Sequence, residues 1–517
     1  MKRMKKFVSL LLAAVMVLAM ATTVFAEESG NYTITINNAA TDHTYEAYQI
    51  FTGDLSGKTL SNIVWGSGIT SEGQDYLQNK YDTAGTKSAA GVAAALTDIT
   101  AVQFAKEAAV YLSETKALSI YDDANKKYII SNLTAGYYLV KDQNGSLTYA
   151  DDAYTSYILQ VVKDTEVSPK SAKPTVDKQV HDETADAEAG ATDGWGESAD
   201  HAINESFQFK LIANLPTDTN FNDYETYKVI FTDTMSKGVT FESIASVTVD
   251  GVTLQADQYS ATATAGQAGG NWTLTITDIK SISGVNLTDG AQIVVIYNAH
   301  LNEAAQVNHK SGTTTNQNKV YLQYSNNPNA GGEGELGKTP EDIVWVFTYE
   351  VDNTKVDATN SENKTPLAGA GFRLYDSEGT TEIELIYDET LSAYRPVKGG
   401  ETAEEMTSAD KTGVFNIIGL DAGTYILKET TVPAGYNKCA DITVVISATH
   451  TEDKGGESAN TILSEESNVT NTIENRQGST LPETGGIGTT IFYVLGSILV
   501  IGAAILLITR KRMHTEK

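Results

Sequence analysis

Gly419-Leu-Asp-Ala-Gly-Thr-Tyr-Ile-Leu-Lys-Glu429 aligns without a gap on Asn132-Leu-Thr-Ala-Gly-Tyr-Tyr-Leu-Val-Lys-Asp142. Each copy carries a Gly turn, a short strand with a tyrosine in register, and an acidic end. Side chains on a strand alternate between faces, so Tyr425, Leu427 and Glu429 share one face. The tyrosine and leucine mark that face as the core side, which turns Glu429 inward.

Other segments have the same character. Tyr32–Asn37, Tyr157–Val162, Lys228–Phe231, Trp272–Ile276, Gln292–Tyr297, Val320–Tyr324 and Ile442–Ile446 are short, β-branched or aromatic, and mostly bounded by Gly, Asn and Asp. They predict an all-β chain of sandwich type. The main exception is Ala89 to Lys116, where Ala- and Leu-rich spacing predicts one or two helices inside the first domain. Pro and Gly cluster in Glu166–Pro174 and Asn326–Glu335, which predicts linkers there and domains over 27–169, 170–338 and 339–480. The internal repeat makes the first and third domains cousins.

The two ends set the compartment. Met1 to Ala26 has a basic start, an apolar run from Phe7 to Met20, and Val24-Phe25-Ala26 ahead of Glu27, the form of a cleavable secretory signal. At the other end, Ile487 to Thr509 carries no charge. At ~1.5 Å per residue it is long enough to cross a ~30 Å hydrocarbon core as one helix. Arg510-Lys511-Arg512 behind it places the tail on the cytoplasmic side and everything before Leu481 outside. Signal and anchor exclude a cytosolic enzyme and leave roughly 450 external residues, enough for about three ordinary domains.

The formal charge of −29 becomes more negative once the basic ends are removed. So acidic an exterior argues against nucleic acid and for solubility. The single cysteine, Cys439, rules out an internal disulfide. The histidines outside the ends (His43, His181, His201, His300, His309 and His450) show no metal-ligand spacing, so neither metal nor cofactor is expected. No nucleophile elbow, phosphate loop or Ser/His/Asp set is visible, which points away from an enzyme.

Leu481-Pro482-Glu483-Thr484-Gly485, followed by an apolar run and a basic tail, resembles the cell-wall sorting signal of Gram-positive surface proteins. The resemblance implies that a sortase cysteine attacks the Thr484 carbonyl, releases Gly485 onward, and passes the acyl group to an amine. Pro482 disfavours helix and strand pairing and leaves the segment extended and accessible.

Tyr425-Ile-Leu-Lys-Glu429-Thr-Thr-Val-Pro-Ala-Gly-Tyr436 resembles the E-box of pilin Cna B-type domains, which are immunoglobulin-like sandwiches. Thr354-Lys-Val-Asp357 and Pro366-Leu-Ala-Gly-Ala-Gly-Phe-Arg-Leu-Tyr375 resemble the opening of the same domain. The resemblance implies an isopeptide bond between a lysine on the first strand and an asparagine on the last. In an apolar core such an amine sheds its proton and becomes nucleophilic, while a carboxylic acid polarises the carboxamide and shuttles protons. By position the set is Lys355, Glu429 and Asn475, with Asn471 as the alternative amide. An ordinary buried Lys–Glu salt bridge competes with this reading.

The middle domain offers Lys178 in Pro174–Val180, Asp233 in Ile230–Gly238, and Asn318 in Asn318–Pro328, with Asn326 as the alternative. The latter two segments resemble those of backbone-pilin middle domains. In the first domain, Tyr32–Asn37 has no lysine and Ser156–Val162 has no asparagine, so Asp142 has nothing to catalyse and no bond is expected.

Glu166-Val-Ser-Pro169-Lys170-Ser-Ala-Lys-Pro174 resembles the pilin motif whose lysine accepts the Thr acyl group of the next subunit. The match is partial: Ser168 stands where an aromatic residue is expected and Ser171 where an asparagine is. Lys170 is the expected acceptor and Lys173 the second candidate. These resemblances imply a backbone subunit of a covalent surface pilus, with identical subunits, pilus and housekeeping sortases and peptidoglycan as partners. A singly anchored adhesin binding host surface or matrix is the alternative.

Overall fold

The computed structural model describes residues 31–478 and 486–513, apart from 57–58, 148–151, 156, 162, 170–172, 183–192, 217–222, 286, 288–289, 309–315, 331–333 and 453–458. The chain divides into two units, one running to Thr348 and including Ala448–Ile462, the other made of Tyr349–Ser447 and the residues from Leu463 on. Both are built from β-sandwiches, as the alternation predicted.

The first unit opens with the N-terminal domain. Tyr32–Ile36 pairs antiparallel with Lys127–Leu133 and parallel with Thr165–Val167. A second sheet joins Thr59–Trp65, Tyr45–Ser56, Gly136–Asp142 and Ile158–Val161. The helical insertion is larger than the spacing predicted: helices cover Ser71–Tyr81, Ala89–Ala95 and Asp98–Ala109. The first was illegible because its sequence is mostly polar; only Gly73 and Leu77 in it are buried. What starts it is a cap, Gly73 N donating to Thr70 Oγ1 at 3.2 Å. Leu77, Val92, Phe104 and Ala108 then pack with Phe51 and Ile69.

The middle domain is organised by Val229–Val249. Its first part pairs with Gln267–Ile276 and Asn316–Ser325, its second with Gln292–Leu301, and the register breaks between Met235 and Thr240. The strand thereby serves both layers of the sandwich. Gly238 lies in the break, where a Cβ would sit 2.4 Å from Asn316 Oδ1 and 2.6 Å from the Ala305 Cα. Phe209, Phe231, Trp272, Tyr297 and Leu322 fill the space between the layers.

The expected boundary at 338 moves to Thr348. Leu336–Lys338 and Asp342–Phe347 both pair with Asn316–Ser325 and so complete this domain's sheet. Asn326–Ala330, read as linker for its Pro and Asn content, is tied down instead: Asn326 O accepts from Tyr154 N at 2.8 Å, and Asn329 Nδ2 donates to Thr155 O at 2.8 Å. A hairpin of Ala448–Glu452 and Ala459–Leu463 also joins this unit, with the His450 ring 4.5 Å from that of Phe347.

In the second unit, the strand Tyr349–Asp357 runs parallel to Thr470–Asn475 and antiparallel to Ile417–Leu420. The opposing sheet holds Gly371–Tyr375, Gly423–Thr431 and Ile442–Ile446. Gly486–Met513 forms one helix where the anchor was expected. Among the described residues no helix is long and apolar enough to cross a membrane.

Candidate functional site

The parallel pairing of first and last strands in the second unit sets Asp357 opposite Asn475 and Lys355 opposite Ile473. Lys355 and Asn475 are therefore two register positions apart on the same inward face. Phe372 is the register partner of Glu429 in the other sheet, and Glu429 is buried with Leu427, as alternation predicted.

Lys355, Glu429 and Asn475 are all buried and meet. Lys355 Nζ donates to Asn475 Oδ1 at 2.6 Å, and Asn475 Nδ2 donates to Glu429 Oε1 at 2.7 Å. The same Glu429 oxygen is 3.3 Å from Lys355 Nζ. Glu429 Oε2 accepts the backbone N–H of Cys439 at 2.8 Å, which fixes the carboxyl plane. The Phe372 ring, stacked on Phe415, lies 5.3 Å from the amine. One carboxyl oxygen thus touches both the amine that would attack and the amide nitrogen that would leave. Asn471 lies elsewhere, donating to Asn353 Oδ1 at 3.2 Å.

Lys178, Asp233 and Asn318 form a second buried cluster in the middle domain. They come from Thr175–His181, Val229–Val249 and Asn316–Ser325, with Met235 opposite Asn318 across the last pair. Lys178 Nζ is bonded to Asp233 Oδ2. Between them and the asparagine stands Tyr297, which sequence reasoning did not assign: its hydroxyl donates to Asp233 Oδ2 at 3.1 Å and accepts from Lys178 Nζ at 3.3 Å and from Asn318 Nδ2 at 2.5 Å. The signal was present, since alternation in Gln292–Tyr297 turns Ile293, Val295 and Tyr297 inward together. Asn326, the alternative amide, instead donates to Asp152 O at 3.4 Å.

Burial pushes the Lys178 amine down and the Asp233 carboxyl up, so both move toward their neutral forms. Burial likewise raises the Tyr297 phenol well above its ordinary value. Among the described residues, Asp233 Oδ1 and Asn318 Oδ1 make no hydrogen bond of ordinary geometry.

Asp142, the N-terminal counterpart of Glu429, faces different company. Its Oδ1 lies 2.8 Å from His43 Nδ1, and its Oδ2 accepts Thr155 N at 2.6 Å. Burial alone would lower the His43 pKa, but hydrogen bonds to Asp142 and Asp152 outweigh it and raise it to about 9. Lys170 and Leu481, Pro482, Glu483, Thr484 and Gly485 lie outside the described residues. Lys173 is exposed, with its amine 3.6 Å from Asp152 Oδ1.

Comparison with known proteins agrees with these parts. Residues 351–458 match the SpaA family, a prealbumin-like fold domain, and residues 474–514 match the LPXTG cell wall anchor motif. The trypsin-resistant surface T6 protein of Streptococcus pyogenes serotype M6 is 26% identical over 413 residues, covering 66% of this chain and 70% of that protein. The solved T6 backbone pilin of the same serotype, described as a modular three-domain structure decorated with variable loops and extensions, superposes with a TM-score of 0.50 at 17% identity. That match covers 88% of this chain and 100% of the other. The full-length major pilin SpaD from Corynebacterium diphtheriae aligns over 88% of this chain and 100% of its own, with a TM-score of 0.48 and 17% identity. The T6 superposition shows the tandem sandwich fold, and the anchor motif places the chain on the cell wall.

Proposed function

We propose that this chain, a wall-anchored structural subunit of a surface pilus, is joined head to tail by a sortase and reinforced inside two of its domains by Lys–Asn isopeptide bonds. The observation that carries the internal bonds is the Glu429 carboxyl oxygen in contact with both Lys355 Nζ and Asn475 Nδ2.

In that geometry the Lys355 amine attacks the Asn475 carboxamide carbon. Glu429 takes the proton that the amine gives up and returns it to the departing nitrogen, so a C–N bond forms and ammonia leaves. The Lys178, Asp233 and Asn318 set runs the same exchange, with the Tyr297 hydroxyl relaying between amide and acid. In the middle-domain set, burial moves Lys178 and Asp233 toward the neutral forms that the exchange needs.

Polymerisation uses the ends. A sortase cysteine attacks the Thr484 carbonyl, Gly485 leaves as an amine, and the Lys170 amine of a second subunit displaces the cysteine to form an amide. Pro169 and Pro174 flank the acceptor lysine in sequence, and proline disfavours helix and sheet pairing. Such a joint is heterologous, a tail on one subunit to a linker on the next, and heterologous contacts grow open filaments. The last subunit is handed to peptidoglycan by the housekeeping sortase. Cross-links between first and last strands let tension bypass the hydrogen-bonded sheet and substitute for the absent disulfides.

The test is a denaturing gel of cell-wall extracts. The wild type gives a high-molecular-weight ladder, which vanishes in Lys170→Ala. A ladder that persists in both Lys170→Ala and Lys173→Ala would overturn the linkage, and no ladder in the wild type would favour a singly anchored adhesin.

A further inference from the structure

We propose that the N-terminal domain binds one divalent cation of the Zn2+ or Mn2+ class through His43 Nε2, Asp42 and Asp152. One ligand atom from each of these residues lies within 4.8 Å of the others, and all three residues are buried. They come from two segments far apart in sequence, which is why histidine spacing gave no hint of a site.

The imidazole is set up as a ligand. Its Nδ1 is held by Asp142 Oδ1 at 2.8 Å, and its ring is stacked on Tyr45 at 5.5 Å with Tyr128 edge-on at 6.3 Å. This leaves Nε2 pointing at Asp152 Oδ2, 3.3 Å away, and at Asp42 Oδ1, 4.0 Å away. His43 is 4% exposed, and among the described residues its Nε2 contacts these two carboxylates. A carboxylate on one imidazole nitrogen with the other turned into a nest of oxygens is the arrangement that orients metal-binding histidines.

Charge points the same way. Asp42, Asp142 and Asp152 are all buried around a single imidazole, and the Lys173 amine lies 3.6 Å from Asp152 Oδ1. A doubly charged ion on Nε2 offsets the two facing carboxylates, and its binding releases whatever proton Nε2 carried. One nitrogen and two carboxylates suit Zn2+ or Mn2+ better than Ca2+, which prefers six to eight oxygens.

The consequence is mechanical. The ion would staple the Asp42–His43 loop to Asp152, whose backbone O accepts from Asn326 Nδ2 at 3.4 Å and whose neighbour Tyr154 donates to Asn326 O at 2.8 Å. The domain whose opening and closing strands lack a Lys–Asn pair would thus gain an ionic cross-link beside the acceptor linker. The proposal stands whether or not Lys170 is the acceptor.

The test uses the untagged full chain, stripped with a chelator and titrated separately with Zn2+ and with Mn2+ by calorimetry. One equivalent should bind per chain and raise the unfolding temperature. His43→Gln and Asp152→Asn should each weaken binding at least ~10-fold, and Asp142→Asn should weaken it ~10- to 100-fold without changing the stoichiometry. If the variants misfold, X-ray absorption of the Zn2+-loaded wild type decides, with an imidazole-plus-oxygen shell expected. No saturable equivalent, unchanged binding in both ligand variants, or a shell without imidazole would overturn the site.

Discussion

Lys355 Nζ and Asn475 Oδ1 are 2.6 Å apart, on the first and last strands of their domain, although 120 residues separate them in the chain. The parallel register of those strands puts the two side chains on one inward face, and Glu429 from the opposing sheet closes the triangle. A bond formed there ties the two ends of the domain together.

Mass is the first consequence. The processed chain should weigh less than its sequence by one ammonia, about 17 Da, for each amide formed. Two bonds are expected in the wild type. Glu429→Ala should restore one ammonia and leave the other missing; intact-mass spectrometry reads this directly, and an unchanged deficit would count against Glu429 as the proton carrier.

Tyr297 should separate positioning from packing in the middle domain. Tyr297→Phe keeps the ring but removes the hydroxyl that contacts Lys178, Asp233 and Asn318. The middle bond should form more slowly, or stop short of completion, in a domain that still folds. Removing one partner from a buried hydrogen-bonded cluster costs about 1–3 kcal/mol before any bond forms. Mass followed over time in freshly made protein checks it; bond formation as fast as in the wild type would make Tyr297 a packing residue only.

Cross-link loss should be large in stability terms. Closing a loop of this length covalently is worth about 4–5 kcal/mol by the loop-entropy estimate used for disulfides. Asn475→Ala should therefore lower the unfolding temperature of the C-terminal domain and expose it to trypsin, and calorimetry with limited proteolysis measures both. Asn471→Ala, which spares the cluster, should keep the bond.

The C-terminal domain also carries an acid-resistant ion pair. Arg395 makes two hydrogen bonds of 2.8 Å to Glu401 and one of 3.0 Å to Asp388. The hydrogen bond from Arg395 pulls the Glu401 pKa down to about 2. A lowered carboxylate stabilises the fold at pH above its unfolded value, ~4.3, and loses that contribution as pH falls through its folded value. Stability from this pair should therefore decline from about pH 4.3 to about pH 2. Arg395→Ala should move the acid-unfolding midpoint upward, as followed by circular dichroism.

Much of this was legible in sequence because strand alternation is a local signal. The period of two in Tyr425–Glu429 was enough to turn Glu429 toward the core, and strand parity kept Asn475 and Asn471 as the only two choices on the last strand. Register, a tertiary property, separates them: Asn475 lies beside Lys355, whereas Asn471 lies beside Asn353. Tyr297 escaped notice because a core-facing tyrosine looks the same whether its hydroxyl is catalytic or structural. The Ser71–Tyr81 helix escaped because its nucleation rests on a Thr70 cap rather than on an apolar stripe. Asn326–Ala330 misled in the other direction, since turn residues held by hydrogen bonds to Tyr154 and Thr155 read like a linker.

A covalent joint between subunits leaves a branched peptide, which tandem mass spectrometry of protease digests from native surface fibres reads at the bond itself. The expected branch has the Thr484 carbonyl bonded to the side-chain nitrogen of Lys170. Thr484 found only on wall peptide, with every Lys170 side chain unmodified, would contradict it.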